Sequence, residues 1–376
     1  MTSLPRVLLD ATSIPPSRGG VARFLAGLTS GLESLGAVID IAVKREDVEF
    51  LAAAAPSHRY HLVAPAVSRR PVRLVWEQAT LPRLAGRLGC AVVHSPHYTF
   101  PLAGRAGRVV TLHDATFFST PEAHSRVKGT FFRRWTTLAA RRADALVAVS
   151  EATEREVTAH VARISAPISV AYLGVDRAVF RPPTPEAVDS LRARLGLATD
   201  EPWIAFLGTI EPRKNVPALI RAVKRLRAAD PTFPRLVISG SRGWDEEAAR
   251  LLDGQDPGVI EAGYLPLDEL SALLGGATVV AYPSLGEGFG LPVLEGMACG
   301  APVLTTRRLS IPEVGGDAVA YTEPDEDSLA EALSALVADP TRRATLAAAG
   351  AERSIRFTWE ECATRYLEAY RTAAGA

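Results

Sequence analysis

The sequence predicts an α/β protein made of two doubly wound, Rossmann-like domains that face a central cleft. Three observations carry that expectation. Short continuous apolar runs alternate with longer stretches of helical periodicity along the chain, the pattern of parallel strands covered on both faces by helices. The alternation breaks over residues 174–187, GVDRAVFRPPTPEA, where three prolines interrupt it and a second series then begins. The length, 376 residues, exceeds one compact core and suits two domains of ordinary size.

In the first series strands are expected at Val7–Leu9, Val38–Val43, Ala91–His94, Val109–Leu112 and Leu146–Val149. Helices are expected at Val21–Leu35, Val75–Leu88, Arg126–Arg142 and Glu151–Ala162. A helix over Ala187–Leu195 leads into the second series, with strands at Trp203–Leu207, Leu236–Ser239, Val259–Ala262, Thr278–Tyr282 and Pro302–Thr305. The closing run FTWEECATRYLEAYRTA reads as an amphipathic helix with Thr358 as its N-cap. The expected domains are therefore 1–180 and 181–356, with 357–376 packing back on the first.

Lys plus Arg equals Asp plus Glu, 42 each, so charge makes no case for nucleic acid. No apolar run approaches the roughly 20 residues of a membrane span. The N-terminus reads as a first strand and not as a signal peptide. Cys90, Cys299 and Cys362 lack metal-ligand spacing and read as reduced structural thiols of a cytoplasmic protein.

The strongest local signal is TVVAYPSLGEGFGLPVLEGMACGAPVL, residues 278–304. A buried strand ends at Tyr282. A loop with Gly286, Gly288 and Gly290 follows, and a helix starts near Leu291 with Pro292 in its first turn. Glycines admit close backbone approach, and a helix start offers free N–H groups and a positive dipole end, so a diphosphate fits there. Glu287 and Glu295 flank this anion site. Carboxylates there need hydroxyl partners, which sugars and riboses supply. The G-x-G-x-G spacing does not match a dinucleotide fingerprint, which argues against a nicotinamide dehydrogenase.

The run EGFGLPVLE (Glu287–Glu295) resembles the glutamate-x7-glutamate motif of the retaining family 4 glycosyltransferases, which have the two-domain GT-B fold. Other segments match in family order: GGVARF (Gly19–Phe24), VVTLHDAT around His113 and Asp114, VSEAT (Val149–Thr153) and GVD (Gly174–Asp176). LGTIEPRKN (Leu207–Asn215), SGSRGW (Ser239–Trp244), GYLP (Gly263–Pro266) and SIPEVGGDA (Ser310–Ala318) continue the series. The resemblance covers nearly the whole chain.

That resemblance implies transfer of a sugar from a nucleotide-sugar donor to a glycan or lipid-linked acceptor, with no cofactor and no metal. Arg213 and Lys214 would neutralise the leaving nucleoside diphosphate, a role two cations at a strand's carboxyl end suit. Glu295 would hold the ribose hydroxyls and Glu287 the donor sugar, with backbone amides of Gly288, Phe289, Gly290 and Leu291 meeting sugar and phosphate oxygens. Gly19 and Gly20 would approach the phosphates from the first domain. His113 would sit near the donor sugar's 6-hydroxyl. Ser241, Arg242, Gly263, Tyr264 and Leu265 would lie near the base. LGTIEPRKN and RGW resemble mannosyl-transferring members, which implies GDP-mannose; UDP- and dTDP-sugars use the same scaffold and stay open. A sugar-nucleotide epimerase of the same architecture is the alternative activity, although no further acid/base set is evident around a sugar ring. A non-catalytic scaffold would predict loss of the motif residues, and all are present.

One position departs from the pattern: Thr209 stands where many relatives carry an arginine. Asp325 and Asp327 form a D-x-D that precedes a helix over Ser328–Val337 and reads as helix N-terminal charge, not as a metal site. Residues Ser125–Arg142, SRVKGTFFRRWTTLAARR, combine aromatics with six cations and form a candidate contact with anionic membrane on the inner face of the cell membrane. His94 and His97 are acceptor-side candidates. His58, His61, His124 and His160 read as surface residues.

Overall fold

A computed structural model describes residues 4–15, 18–119 and 126–375. His124 and Ser125 lie outside the described residues. The chain divides into two compact units: one runs to Gly174 and resumes at Phe357, and the other is Val175–Arg356.

The first unit carries a seven-stranded, wholly parallel sheet. Its strands are β1 (Val7–Asp10), β2 (Asp40–Val43), β3 (Arg59–Leu62), β4 (Val92–Ser95), β5 (Gly107–Leu112), β6 (Ala145–Ala148) and β7 (Ile168–Val170). Their order is β3-β2-β1-β4-β5-β6-β7. β1, β2, β4 and β6 are buried along their length, which is why they are largely apolar, with Asp10, Asp40, His94 and Ser95 at their ends. β3 lies at the edge with a polar, half-exposed RYHL sequence that carries no such signal.

Differences from expectation have local causes. The helix expected over Val75–Leu88 is two helices, Arg70–Ala79 and Leu81–Leu88, because Pro82 takes the first turn of the second and cannot continue the first. His58 is a correction: it is buried, its ring bonded to the Ile39 amide and the Thr29 carbonyl. His61 is half-buried against Asp40, whose carboxylate also binds Arg6 and Arg59 in bidentate fashion. His160 is exposed. His94 belongs to the core, bonded to Tyr370 and Thr111 within 2.9 Å, and burial pushes its pKa down to about 3, so it is neutral.

The C-terminal helix Trp359–Ala373 belongs to the first unit. Thr358 caps it by accepting from the Glu361 amide, 3.1 Å. Trp359, Cys362, Tyr366, Ala369, Tyr370 and Ala373 form its buried stripe. It lies along the helix Gly20–Ser34, where a side chain on Gly27 would meet the Trp359 ring at 1.9 Å and one on Gly31 would meet the Trp359 carbonyl at 2.2 Å. The two helices touch because both positions are bare.

The second unit carries a six-stranded parallel sheet. Its strands are β8 (Trp203–Leu207), β9 (Arg235–Ser239), β10 (Val259–Gly263), β11 (Val279–Tyr282), β12 (Val303–Thr305) and β13 (Ala320–Tyr321), in the order β10-β9-β8-β11-β12-β13. Asp325 caps the helix Glu326–Ala338 by accepting from Ser328, 2.9 Å, while Asp327 pairs with Arg225. The three cysteines are free and buried.

Gly31→Ala sets a methyl against a backbone carbonyl that cannot rotate away. Overpacking of that kind destabilises by about 1–3 kcal/mol. Thermal unfolding should show a lower melting temperature than wild type; an unchanged midpoint would refute this close approach.

Candidate active site

In the second unit the strand order reverses between β8 and β11. Ligands of open α/β sheets bind at such a reversal, beyond the carboxyl ends of the strands. Two loops leave the sheet there. After β8 the chain runs through the turn Pro212–Lys214 and enters the helix Val216–Ala229. Asn215 joins turn to helix at φ 55°, a left-handed conformation that asparagine tolerates. Its side chain donates to the carbonyls of Pro283 (3.3 Å) and Pro324 (2.7 Å). After β11 the loop from Pro283 reaches Gly290, at φ 102°, and the helix Leu291–Ala298 begins. The Leu285 amide donates to the Arg213 carbonyl at 2.8 Å, and the Ser284 hydroxyl lies 3.0 Å from the same oxygen, so the loops hold each other.

These loops bring Arg213, Lys214 and Glu287 into direct contact. Arg213 Nη1 donates to Glu287 Oε2 at 2.5 Å and to the Gly286 carbonyl at 2.6 Å. Its Nη2 donates to Glu211 Oε1 at 2.6 Å. Lys214 Nζ donates to Glu287 Oε1 at 2.6 Å and to the Tyr282 hydroxyl. Tyr282 and Ser284 donate to the same Oε1, at 2.9 and 2.6 Å. Burial alone would raise the Glu287 pKa, but Arg213, Lys214 and the hydrogen bonds outweigh it and hold the group at about 2. Burial, reinforced by Arg213, lowers the pKa of Lys214, and its acidic neighbours oppose that shift. Burial holds the Tyr282 phenol well above its ordinary range, so it stays neutral and can donate and accept at once.

The loop continues into Gly288, Phe289 and Gly290, all buried, and half-buried Leu291 opens the helix. Glu295 lies in that helix, 2% exposed. Ser241 and Gly263 follow β9 and close β10: the Gly263 carbonyl accepts from the Gly240 amide at 2.8 Å and from Ser239 at 3.1 Å. Leu265 is buried and Tyr264 is 55% exposed. Arg242 is exposed and spans Glu261 and Asp253, each contact 2.7 Å.

In the first unit, Gly19 caps and Gly20 starts the helix Gly20–Ser34 beyond β1. A side chain at either would meet nothing within 4 Å, so packing does not require glycine there. Bare glycines leave the backbone N–H groups of a helix start open to approach. His113 follows β5. Its Nε2 lies 2.7 Å from the Pro96 carbonyl, its ring meets Phe24 edge-on at 4.7 Å, and burial lowers its pKa.

The sequence reading missed Tyr282, Ser284 and Glu211 as partners of the charged trio. Tyr282 ends a strand and Ser284 sits in a turn, ordinary residues for their places. Only the -E-P-R-K- run, which sets Glu211 beside the cations, carried a signal.

Two facing loops, two cations and a helix start at a strand-order reversal define a site for an anionic, hydroxyl-rich ligand. Comparison with known proteins gives the class. Residues 18–179 match the family described as "Glycosyltransferase Family 4" and residues 201–339 match "Glycosyl transferases group 1". The chain is 30% identical to the O-antigen chain mannosyltransferase B of Escherichia coli, over 74% of each chain. It is 34% identical to the D-inositol 3-phosphate glycosyltransferase of Stackebrandtia nassauensis, covering 77% of this chain and 64% of that one. In fold it resembles the sucrose-phosphate synthase of Thermosynechococcus elongatus, with a TM-score of 0.78, 21% identity and 98% of each chain covered. The chain is thus a glycosyltransferase of the GT-B fold. It belongs to glycosyltransferase family 4.

Proposed function

We propose that this chain transfers mannose from GDP-mannose to a glycan or lipid-linked acceptor with retention of configuration and without a metal, on the cytoplasmic side of the cell. The contact of Arg213 and Lys214 with Glu287 beside the helix Leu291–Ala298 carries the reading. Two fixed cations neutralise charge that develops on the leaving diphosphate, the interaction that lowers the barrier to breaking the glycosidic C–O bond. The acceptor attacks from the face the diphosphate leaves, and a phosphate oxygen of the donor takes its proton. Glu295 holds the ribose, Glu287 the sugar, and Gly288, Phe289, Gly290 and Leu291 offer amides to the phosphates. Arg242 is held by Glu261 and Asp253, so base recognition falls mainly to Ser241, Gly263, Tyr264 and Leu265. The mannosyltransferase relative supports the sugar; a UDP- or dTDP-sugar is the competing donor.

A thermal-shift panel of nucleotide sugars tests the donor, since a ligand of the native state raises the melting temperature. GDP-mannose should give the largest shift; a larger shift with a UDP- or dTDP-sugar would replace it. Lys214→Ala and Glu295→Ala should each abolish transfer while keeping a folded protein, and near-wild-type turnover in either would overturn the assignment. Wild-type transfer should persist in excess chelator. Complete loss restored by manganese would overturn the metal-independent mechanism.

Among the described residues no helix is long and apolar enough to cross a membrane. On the helix Arg126–Arg142, Phe132 and Trp135 pack against a buried cluster, while Val127 is 84% and Phe131 38% exposed. Exposed apolar side chains beside Lys128, Arg133 and Arg134 support peripheral contact with anionic lipid. Flotation with phosphatidylglycerol-containing liposomes should recover the protein, and Phe131→Glu should release it. Equal recovery of both would refute the contact.

A further inference from the structure

The sheet of the first unit also reverses its strand order, between β1 and β4, the kind of place where open α/β sheets take ligands. Asp10 ends β1 and Ser95 ends β4. The register pairing Leu8 with Val93 puts Asp10 and Ser95, two residues further along each strand, on one face of the sheet. The helix Arg70–Ala79 covers that face: its Trp76 joins Leu8 and Val93 in one apolar cluster. The same helix carries Arg73 and Glu77.

Asp10 is 2% exposed, and its Oδ1 accepts from the Thr12 amide (2.9 Å) and hydroxyl (2.6 Å). Among the described residues its Oδ2 accepts no hydrogen bond. Ser95, also 2% exposed, has a buried hydroxyl with no partner among the described residues. Among the described residues Arg73 makes one hydrogen bond, Nη1 to Glu77 Oε2 at 3.4 Å, and it lies close enough to Asp10 to offset part of the effect of its burial. Glu77 is satisfied: Thr99 donates to it at 2.6 Å and Gln78 at 2.9 Å. Buried polar groups without partners are costly, and native structures rarely keep them without a use. Here a carboxylate oxygen, a hydroxyl and spare guanidinium N–H groups gather where this class of sheet binds ligands.

We propose that Asp10, Arg73 and Ser95 form a second binding site that holds a neutral sugar ring of the acceptor through neighbouring hydroxyls. The inference rests on the transferase reading above and adds the chemical class of the acceptor end. A sugar hydroxyl donates to Asp10 Oδ2 and its neighbour accepts from Arg73; Ser95 can do either. Glu77 already takes part of the one guanidinium, and among the described residues no second cation is placed here, which disfavours a phosphorylated ring.

Saturation-transfer NMR on the full chain tests this with a panel of neutral mannose, glucose and galactose disaccharides and with glucose 1-phosphate. Wild type, Asp10→Asn, Arg73→Gln and Ser95→Ala are compared, with the nucleotide-sugar thermal shift measured on each. At least one neutral disaccharide should bind wild type. Its affinity should fall at least tenfold in Asp10→Asn and Arg73→Gln, and measurably in Ser95→Ala, with the nucleotide-sugar shift unchanged. Should the charge variants unfold, Ser95→Ala decides. No binding of any neutral disaccharide, binding of glucose 1-phosphate alone, or equal affinity in folded variants overturns the proposal. Failure of every nucleotide sugar to bind wild type would instead overturn the donor reading.

Discussion

The carboxylate of Glu287, clamped between Arg213 and Lys214, is the interaction on which the candidate active site depends. All three side chains are largely withdrawn from water. A buried carboxylate is unfavourable by itself, and so is a buried ammonium. Each is stable because the other is present, and Tyr282 and Ser284 fill Oε1, which leaves room on Oε2, beside Arg213, for one more donor. Breaking a pair of this kind by removing one member typically costs about 3–5 kcal/mol, because the remaining charge is left uncompensated. The trio therefore ties the loop after β8 to the loop after β11 and fixes both relative to the helix start at Leu291.

That constraint also suits transfer chemistry. On the proposed reading, a diphosphate arriving at the helix start meets cations already oriented, so little reorganisation accompanies the charge that develops as the donor breaks. It also meets Glu287 as a rival for the same cations. The site thus combines preorganised positive charge with a carboxylate that limits how tightly a diphosphate is held. A transferase needs that balance, because the diphosphate must bind as part of the donor and leave as product.

Much of the fold was legible because parallel strands buried on both faces are continuous apolar runs, as in Trp203–Leu207 and Val279–Tyr282. The edge strand Arg59–Leu62 was not, since an edge has no need of such a run. The break at Thr80 needed attention to where Pro82 falls within a helix. The surface reading of His58 failed because its partners, the Ile39 amide and the Thr29 carbonyl, are backbone groups distant in sequence. In the site, motif order along the chain exposed Arg213, Lys214 and Glu287. The pairing of Glu287 with residues 73 and 74 positions earlier depends on tertiary contact between two loops, which no local pattern encodes. The same holds for Asp10 and Ser95, which meet only through the strand register.

On the proposed reading, Glu287 and a bound diphosphate compete for Arg213 and Lys214. Calorimetric titration of GDP and UDP into wild type, Glu287→Gln and Lys214→Ala tests it directly. Glu287→Gln should bind the better nucleotide at least as tightly as wild type, while Lys214→Ala should lose at least tenfold. Equal losses in the two folded variants would contradict the account.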